Sequence, residues 1–380
     1  MKFKDAVDFQ PTVKLNKGEL YPFIAMEDIE PGVRFVSASD NKKYDGSSCT
    51  KFRDGDILFA RITPCLQNGK IAQARIDGKG VGFGSTEYFV FRAKPGIVDQ
   101  RFLYYYVTSE SFSGSAINSM VGASGRQRAD KGYVNNLDIV IPPLPIQSRI
   151  ADILSAYDEL IDVNNRRIAI LEQMAEQIYK EWFVRMRFPG YEKAKFVKGI
   201  PEDWEEIKFK QFVTLKRGYD LPNQDMKDGA IPVVASTSVK GFHNQHKVAP
   251  PVIVTGRSGS LGHVQFIEQS CWPLNTTLYS KDLKGNSPWI VYYTLVSMHL
   301  ENYNSGAGVP TLNRNHLASL PISRPPKKLQ EEFERAIQPM RNEIQLLRVK
   351  NGNLNKQKQL LLPRLVSGKI QLNIHEELPV

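Results

Sequence analysis

No GxxxxGK[ST] phosphate loop occurs in these 380 residues, so the chain carries no nucleotide-hydrolysing motor of that kind. The GxSxG nucleophile elbow is missing as well. So are a glycine-rich cofactor loop after a first strand and the Pro-Pro-aromatic tetrapeptide of amino-methyltransferases. The three cysteines, Cys49, Cys65 and Cys271, make no CxxC pair, which excludes a disulfide framework and fits a reducing cytoplasm. The histidines do not cluster at metal spacing. His243 and His246 form an HxxH, but in a stretch that reads as a solvated polar loop. No uninterrupted apolar run is long enough to span a bilayer, and Met1-Lys2-Phe3-Lys4-Asp5 lacks the apolar core of a signal peptide. A cytoplasmic protein with no catalytic residue, metal or cofactor of its own is expected.

What is present is positive charge and repetition. A net charge of +10 favours a polyanionic partner, with plain solubility as the alternative. The length predicts two to four domains, and 41% hydrophobic residues suffice for folded cores. Each half runs as a β-rich block, a proline step and a long amphipathic helix. Pro142-Pro143 with Gln147 recurs as Pro325-Pro326 with Gln330, at a constant offset (326 − 143 = 183; 330 − 147 = 183). A duplicated chain suits a two-fold target.

In the first block, Gly, Asp and Asn punctuation separates predicted strands at 56–60, 70–74, 87–91 and 137–141, with a helix near 101–110. The second block predicts strands near 207–215 and 252–255. It also repeats the first: Ile290-Val291-Tyr292-Tyr293 matches Phe102-Leu103-Tyr104-Tyr105, and Gly306-Ala307-Gly308 matches Gly122-Ala123-Ser124-Gly125.

Both helices carry a seven-residue seam. The first is Leu154, Tyr157, Ile161, Asn164, Ile168, Leu171, Ala175, Ile178 and Trp182. The second is Ile337, Met340, Ile344, Leu347, Asn351, Leu354, Lys358, Leu361 and Leu365, each 183 residues beyond its counterpart. Pro339 predicts a kink or late start in the second helix, and Pro363 fraying at its end. The first helix begins acidic (Asp152, Asp158, Glu159, Asp162) and the second ends basic (Arg348, Lys350, Lys356, Lys358, Arg364). Arg166, Arg167 and Lys180 would in turn face Glu331, Glu332 and Glu334, so antiparallel pairing is predicted.

Three loop groups are candidates for nucleic-acid contact. Arg61, Gln67, Asn68 and Lys70 follow a strand and mix base-reading side chains with glycine. Arg257, Ser258 and Ser260 lie in the counterpart Gly256-Arg257-Ser258-Gly259-Ser260-Leu261-Gly262-His263, whose small residues let a phosphate approach the backbone. Arg126, Gln127, Arg128 and Lys131 precede the last strand of the first block, matched by Asn313 and Arg314 in the second. The alternative is that all are polar surface turns.

With these motifs in this order and duplicated, the chain resembles the specificity subunit of type I restriction–modification systems. The likeness is carried by Gly55-Asp56-Ile57-Leu58-Phe59-Ala60-Arg61 with Gly69-Lys70, and by Ile141-Pro142-Pro143-Leu144-Pro145-Ile146-Gln147 with Ile150. It extends to Arg257-Ser258-Gly259-Ser260-Leu261-Gly262, to Pro325-Pro326 with Gln330, and to the ending Leu361-Leu362-Pro363-Arg364-Leu365-Val366-Ser367-Gly368-Lys369-Ile370. The resemblance implies an α+β fold: two β-rich α/β target recognition domains joined by two long helices that form an antiparallel coiled coil, as a pseudo-two-fold repeat. The expected boundaries are 1–142 and 189–324 for the recognition domains, 143–188 for the first spacer helix, and 325–380 for the second helix and tail.

The resemblance further implies a non-catalytic chain that binds a bipartite double-stranded DNA target, the helices setting half-site spacing. Modification (methyltransferase) subunits would dock on it, and restriction/motor subunits would join them. S-adenosylmethionine, ATP and magnesium would sit on those partners. Pro339 and Lys358 depart from an even seam. The rival readings are an unrecognised DNA methyltransferase or nuclease, a coiled-coil scaffold, and an orphan specificity subunit.

Overall fold

The computed structural model describes residues 1–123, 125–306, 308–370 and 372; Ser124 and Ala307 of the glycine-rich match, and the end of the 325–380 segment, lie outside them. The chain divides into two compact units, Met1–Arg166 with Leu347–Val380, and Arg167–Leu346. Each unit contains strands, short helices and a stretch of both long helices.

The first unit holds two sheets. One runs in the order Val7–Phe9, Tyr88–Ala93, Ile57–Ala60, Ile71–Arg75, Phe35–Ser37, antiparallel except for the last, parallel pair. The other runs Asp40–Lys43, Leu20–Ile24, Val81–Gly84, Thr50–Arg53. Strand Ile57–Ala60 is buried along its whole length, which explains its unbroken apolar run. Its preceding Gly55-Asp56 is a structural lock. Gly55 takes φ +80°, and the buried Asp56 carboxylate accepts two 2.7 Å bonds from Arg92.

The second unit pairs Thr214–Arg217, Thr277–Asp282, Val252–Gly256 and Val264–Ile267 in one sheet, and Val239–His243, Ile231–Val234 and Trp272–Pro273 in another. Glu205–Lys208 pairs with Pro321–Arg324.

The expected strand at 137–141 does not form. Asp138 makes a single bridge to Lys2, because the opposing chain turns at once into the helix Phe3–Ala6. In the second unit, strand Pro321–Arg324 does form, but the strand predicted near 207–215 is broken by the helical turn Phe209–Phe212. These two turns are repeats of one another. Lys2 N–H donates to Asp5 and Lys208 N–H to Gln211, while Phe3 N–H donates to the Leu137 carbonyl and Phe209 N–H to that of Leu320, both at 2.8 Å. The offset is again 320 − 137 = 183. His243 is not in a solvated loop: it ends a strand, is buried, and its Nδ1 accepts the Lys227 N–H at 3.0 Å.

The long helices are Leu144–Tyr179, followed by the π-helical turn Lys180–Val184, and Lys327–Val366. Pro339 does not delay the second helix, which begins well before it and continues past Pro363. Both prolines are on the exposed side, so the carbonyls they leave without a helical donor can be hydrated. Buried Phe333, Ile337 and Ile344 fix the helix on either side of Pro339.

The helices run antiparallel wherever they pair. In the first unit Asp158 meets Lys358 at 2.5 Å and Asn164 meets Asn351 at 2.7 Å. In the second unit Arg167 meets Glu343 at 3.0 Å, and Tyr179 and Trp182 pack on the Phe333 ring. Every seam position of both helices is buried or half-buried. Several of the other charges predicted to face across the pair go elsewhere. Asp152 holds Arg101, Asp162 holds Arg75 and Arg166, and Glu334 accepts from Ser287.

Gln147 and Gln330 explain the repeated proline step. Both are buried. The Gln147 carbonyl accepts the Asp99 N–H at 2.9 Å, and its amide donates to the Pro142 carbonyl at 2.8 Å. The Gln330 carbonyl accepts the Ser287 N–H at 2.8 Å, and its amide donates to the Pro325 carbonyl at 2.9 Å. Asp99 and Ser287 are the N-caps of the domain helices Gln100–Thr108 and Pro288–Ser297. Each glutamine therefore ties a domain helix to the start of its own unit's long helix.

Candidate nucleic-acid interface

In the first unit, strand Ile57–Ala60 delivers Arg61 to the end of the sheet, and Glu87 enters beside it just ahead of strand Tyr88–Ala93. Arg61 N–H donates to the Glu87 carbonyl at 3.0 Å, and Ala129 N–H to the Arg61 carbonyl at 2.8 Å. Thr63 N–H donates to the Gln127 carbonyl at 2.9 Å. Loops 61–70 and 125–131 are thereby zipped into one surface.

The second unit builds the same joint. Arg257 N–H donates to the Thr276 carbonyl at 2.8 Å, Leu312 N–H to the Arg257 carbonyl at 2.8 Å, and Gly259 N–H to the Pro310 carbonyl at 2.9 Å. Ala129 and Leu312 keep the repeat offset (312 − 129 = 183). Both pairs of candidate segments are thus adjacent within their own unit.

Their side chains differ in availability. Gln67, Asn68, Arg126 and Lys131 are exposed, and Gln127 is half-buried. Lys131 lies over the Phe9 ring. Lys70 is committed to the Met26 carbonyl at 2.7 Å. In the second unit Ser260 and Arg314 are exposed, whereas Arg257, Ser258 and Asn313 are half-buried. Asn313 caps the helix Arg314–Ala318 by accepting the Asn315 N–H at 2.9 Å. A Cβ at Gly256 would overlap the Ser260 carbonyl oxygen, so that glycine serves the loop's own closure rather than a ligand's approach.

Arg61 and Arg128 share one carboxylate, which the sequence reading had not singled out. Arg128 Nε donates to Glu87 Oε2 at 2.9 Å and its Nη2 to Oε1 at 2.7 Å; Arg61 Nε reaches Oε2 at 3.2 Å. The Arg128 guanidinium, helped by Arg61, holds the Glu87 carboxyl below the usual carboxylate range. One signal was readable: an acid at the mouth of a strand, amid arginine-bearing loops. Its counterpart in the second unit, Thr276, has no charge. Among the described residues no His/Cys/Asp/Glu cluster could hold a metal ion, and no helix is long and apolar enough to cross a membrane.

Comparison with known proteins decides the family. The model of the type I restriction modification DNA specificity domain matches residues 6–173 and again 201–356. The chain belongs to this family. Among specificity-domain proteins, a putative type I restriction enzyme specificity subunit, MjaX, from Methanocaldococcus jannaschii is 23% identical over 95% of this chain and 90% of its own length. The EcoAI specificity subunit of Escherichia coli is 29% identical over 178 residues, which is 42% of this chain. That match spans only 30% of the Escherichia coli protein, and the match to the MjaVIII subunit of Methanocaldococcus jannaschii only 43% of its length. The crystal structure of the S subunit from M. genitalium shares the fold, with a TM-score of 0.54, 15% identity and coverage of 96% of this chain and 95% of that one.

Proposed function

We propose that this chain is the non-catalytic DNA-reading subunit of a type I restriction–modification complex. Each unit would read one half of a bipartite duplex target through its zipped loop pair. The observation that carries this is the repeated joint, Ala129 to Arg61 and Leu312 to Arg257, within a chain of net charge +10. Basic loops attract a duplex with salt-dependent affinity, and Arg, Gln and Asn among them can read base edges.

The paired helices would set half-site spacing and carry modification subunits, with restriction/motor subunits joining for cleavage. S-adenosylmethionine, ATP and magnesium would belong to those partners, and the assembly would work in the cytoplasm. Mapping methylated adenines in a host that expresses the full system tests this reading. A motif of two short half-sites separated by unread base pairs is expected. A single contiguous motif, or methyl transfer to DNA by the purified chain alone, would overturn it.

A further inference from the structure

We infer that Glu87 is a positioning residue that sets the base preference of the first half-site by presenting Arg128 to a guanine edge. The inference rests on the DNA-reading function proposed above and deepens it. A carboxylate on a surface meant for a polyanion works against binding unless it performs another task. Here its geometry indicates the task. Arg128 meets Glu87 side-on, through Nε and Nη2. A guanidinium has five N–H donors, so the outer edge, formed by Nη1 and the second Nη2 hydrogen, is not used by this bond pair and takes no partner among the described residues. That edge has the spacing that grips guanine O6 and N7 with two bonds.

The clamp is also fixed from behind. Glu87 is mostly buried, with 19% of its side chain exposed, while Arg128 keeps 45% exposed. Ser85 Oγ accepts the Glu87 N–H at 3.2 Å, and Arg128 exchanges backbone bonds with Val121 at 2.9 and 3.0 Å. Arg61 adds a second cation on the same carboxylate. A guanidinium held in this way has little freedom left to lose on binding. The second unit keeps the backbone joint but has Thr276 in place of the acid, so the two units would read by different means.

The test is selection from a random duplex DNA pool by the full chain, comparing wild type, Glu87→Gln and Arg128→Lys, with melting curves for each. Wild type should enrich two half-sites. Glu87→Gln should lose preference for one guanine in one half-site by about tenfold, leaving the other half-site intact. It should also bind random duplex more tightly, with a log–log salt slope steeper by about one, because a repelling charge has gone. Arg128→Lys keeps the charge but not the fork, and should lose the same guanine with an unchanged slope. If both variants keep the wild-type motif, or if Glu87→Gln erodes both half-sites equally, the inference fails. Should Glu87→Gln not fold, Arg128→Lys decides alone. Wild type enriching no sequence would instead overturn DNA reading itself.

Discussion

Asn164 donates through Nδ2 to Oδ1 of Asn351 at 2.7 Å, with both side chains buried in the helix pair of the first unit. Asn351 in turn donates to Asn165 at 2.8 Å. Each is the polar member of an otherwise largely apolar seam, so the two meet only in one alignment. Asn351→Leu should strand the Asn164 amide and destabilise the fold by about 1–3 kcal/mol. Replacing Asn164 and Asn351 together by leucine should recover most of that loss while relaxing the register. Denaturant titration of the cycle checks this; a double variant no better than the single would contradict it.

A second buried polar pair, further along the same seam, joins the helices to the recognition fold. Lys358 binds Asp158, whose other oxygen accepts the Tyr105 hydroxyl at 2.6 Å; Arg34 donates to that hydroxyl at 3.1 Å and to Gln73 at 3.0 Å. Lys358→Met should therefore cost about 3–5 kcal/mol by leaving the Asp158 charge buried without its cation. Adding Asp158→Asn should return a large part of it. A near-neutral single variant in equilibrium unfolding would show that water reaches the site.

Gln147→Ala and Gln330→Ala should behave alike, because each removes one acceptor from an N-cap amide and one donor from a proline carbonyl. Each should cost about 1–3 kcal/mol. Hydrogen exchange should accelerate at the Asp99 amide in the first variant and at the Ser287 amide in the second. Unaffected amides would mean that the glutamines merely fill space.

The lowered Glu87 carboxyl gives the clamp a pH window. A folded value below the unfolded one contributes stability that is complete above the ordinary Glu value of about 4.3 and vanishes as pH falls through the folded value. Melting temperatures of wild type and Glu87→Gln should therefore differ at neutral pH and converge as the solution is acidified below about pH 4. A gap that persists in acid would place the effect of the substitution elsewhere.

Arg257→Ala should weaken duplex binding and reduce its salt slope by about one if the arginine contacts phosphate, with little change in melting temperature. Its backbone makes the bonds that hold the joint, and those survive the substitution. A large fall in melting temperature with DNA binding intact would make Arg257 a loop-packing residue.

Much of the architecture was legible along the chain because it is written locally. The three-four spacing from Leu154 to Trp182 and from Ile337 to Leu365 needs no partner to be recognised, and the 183-residue offset survives in Gln147 and Gln330. The strand at 137–141 was misjudged because a strand requires an extended neighbour, and the chain opposite it forms one bridge, Lys2 to Asp138, before turning into a helix. The late start expected at Pro339 does not occur, because the cost of a missing helical bond depends on which side meets water.

The amino-acid order by itself determined that two similar blocks alternate with two amphipathic helices, and that the whole is basic. Only the tertiary structure decided that residues 61–70 lie against residues 125–131, that Glu87 holds Arg61 and Arg128, and that Asn164 meets Asn351. Periodicity and punctuation are properties of neighbours in sequence. Which distant side chains share a hydrogen bond depends on how sheets and helices close around a core, and no short window of sequence contains that closure.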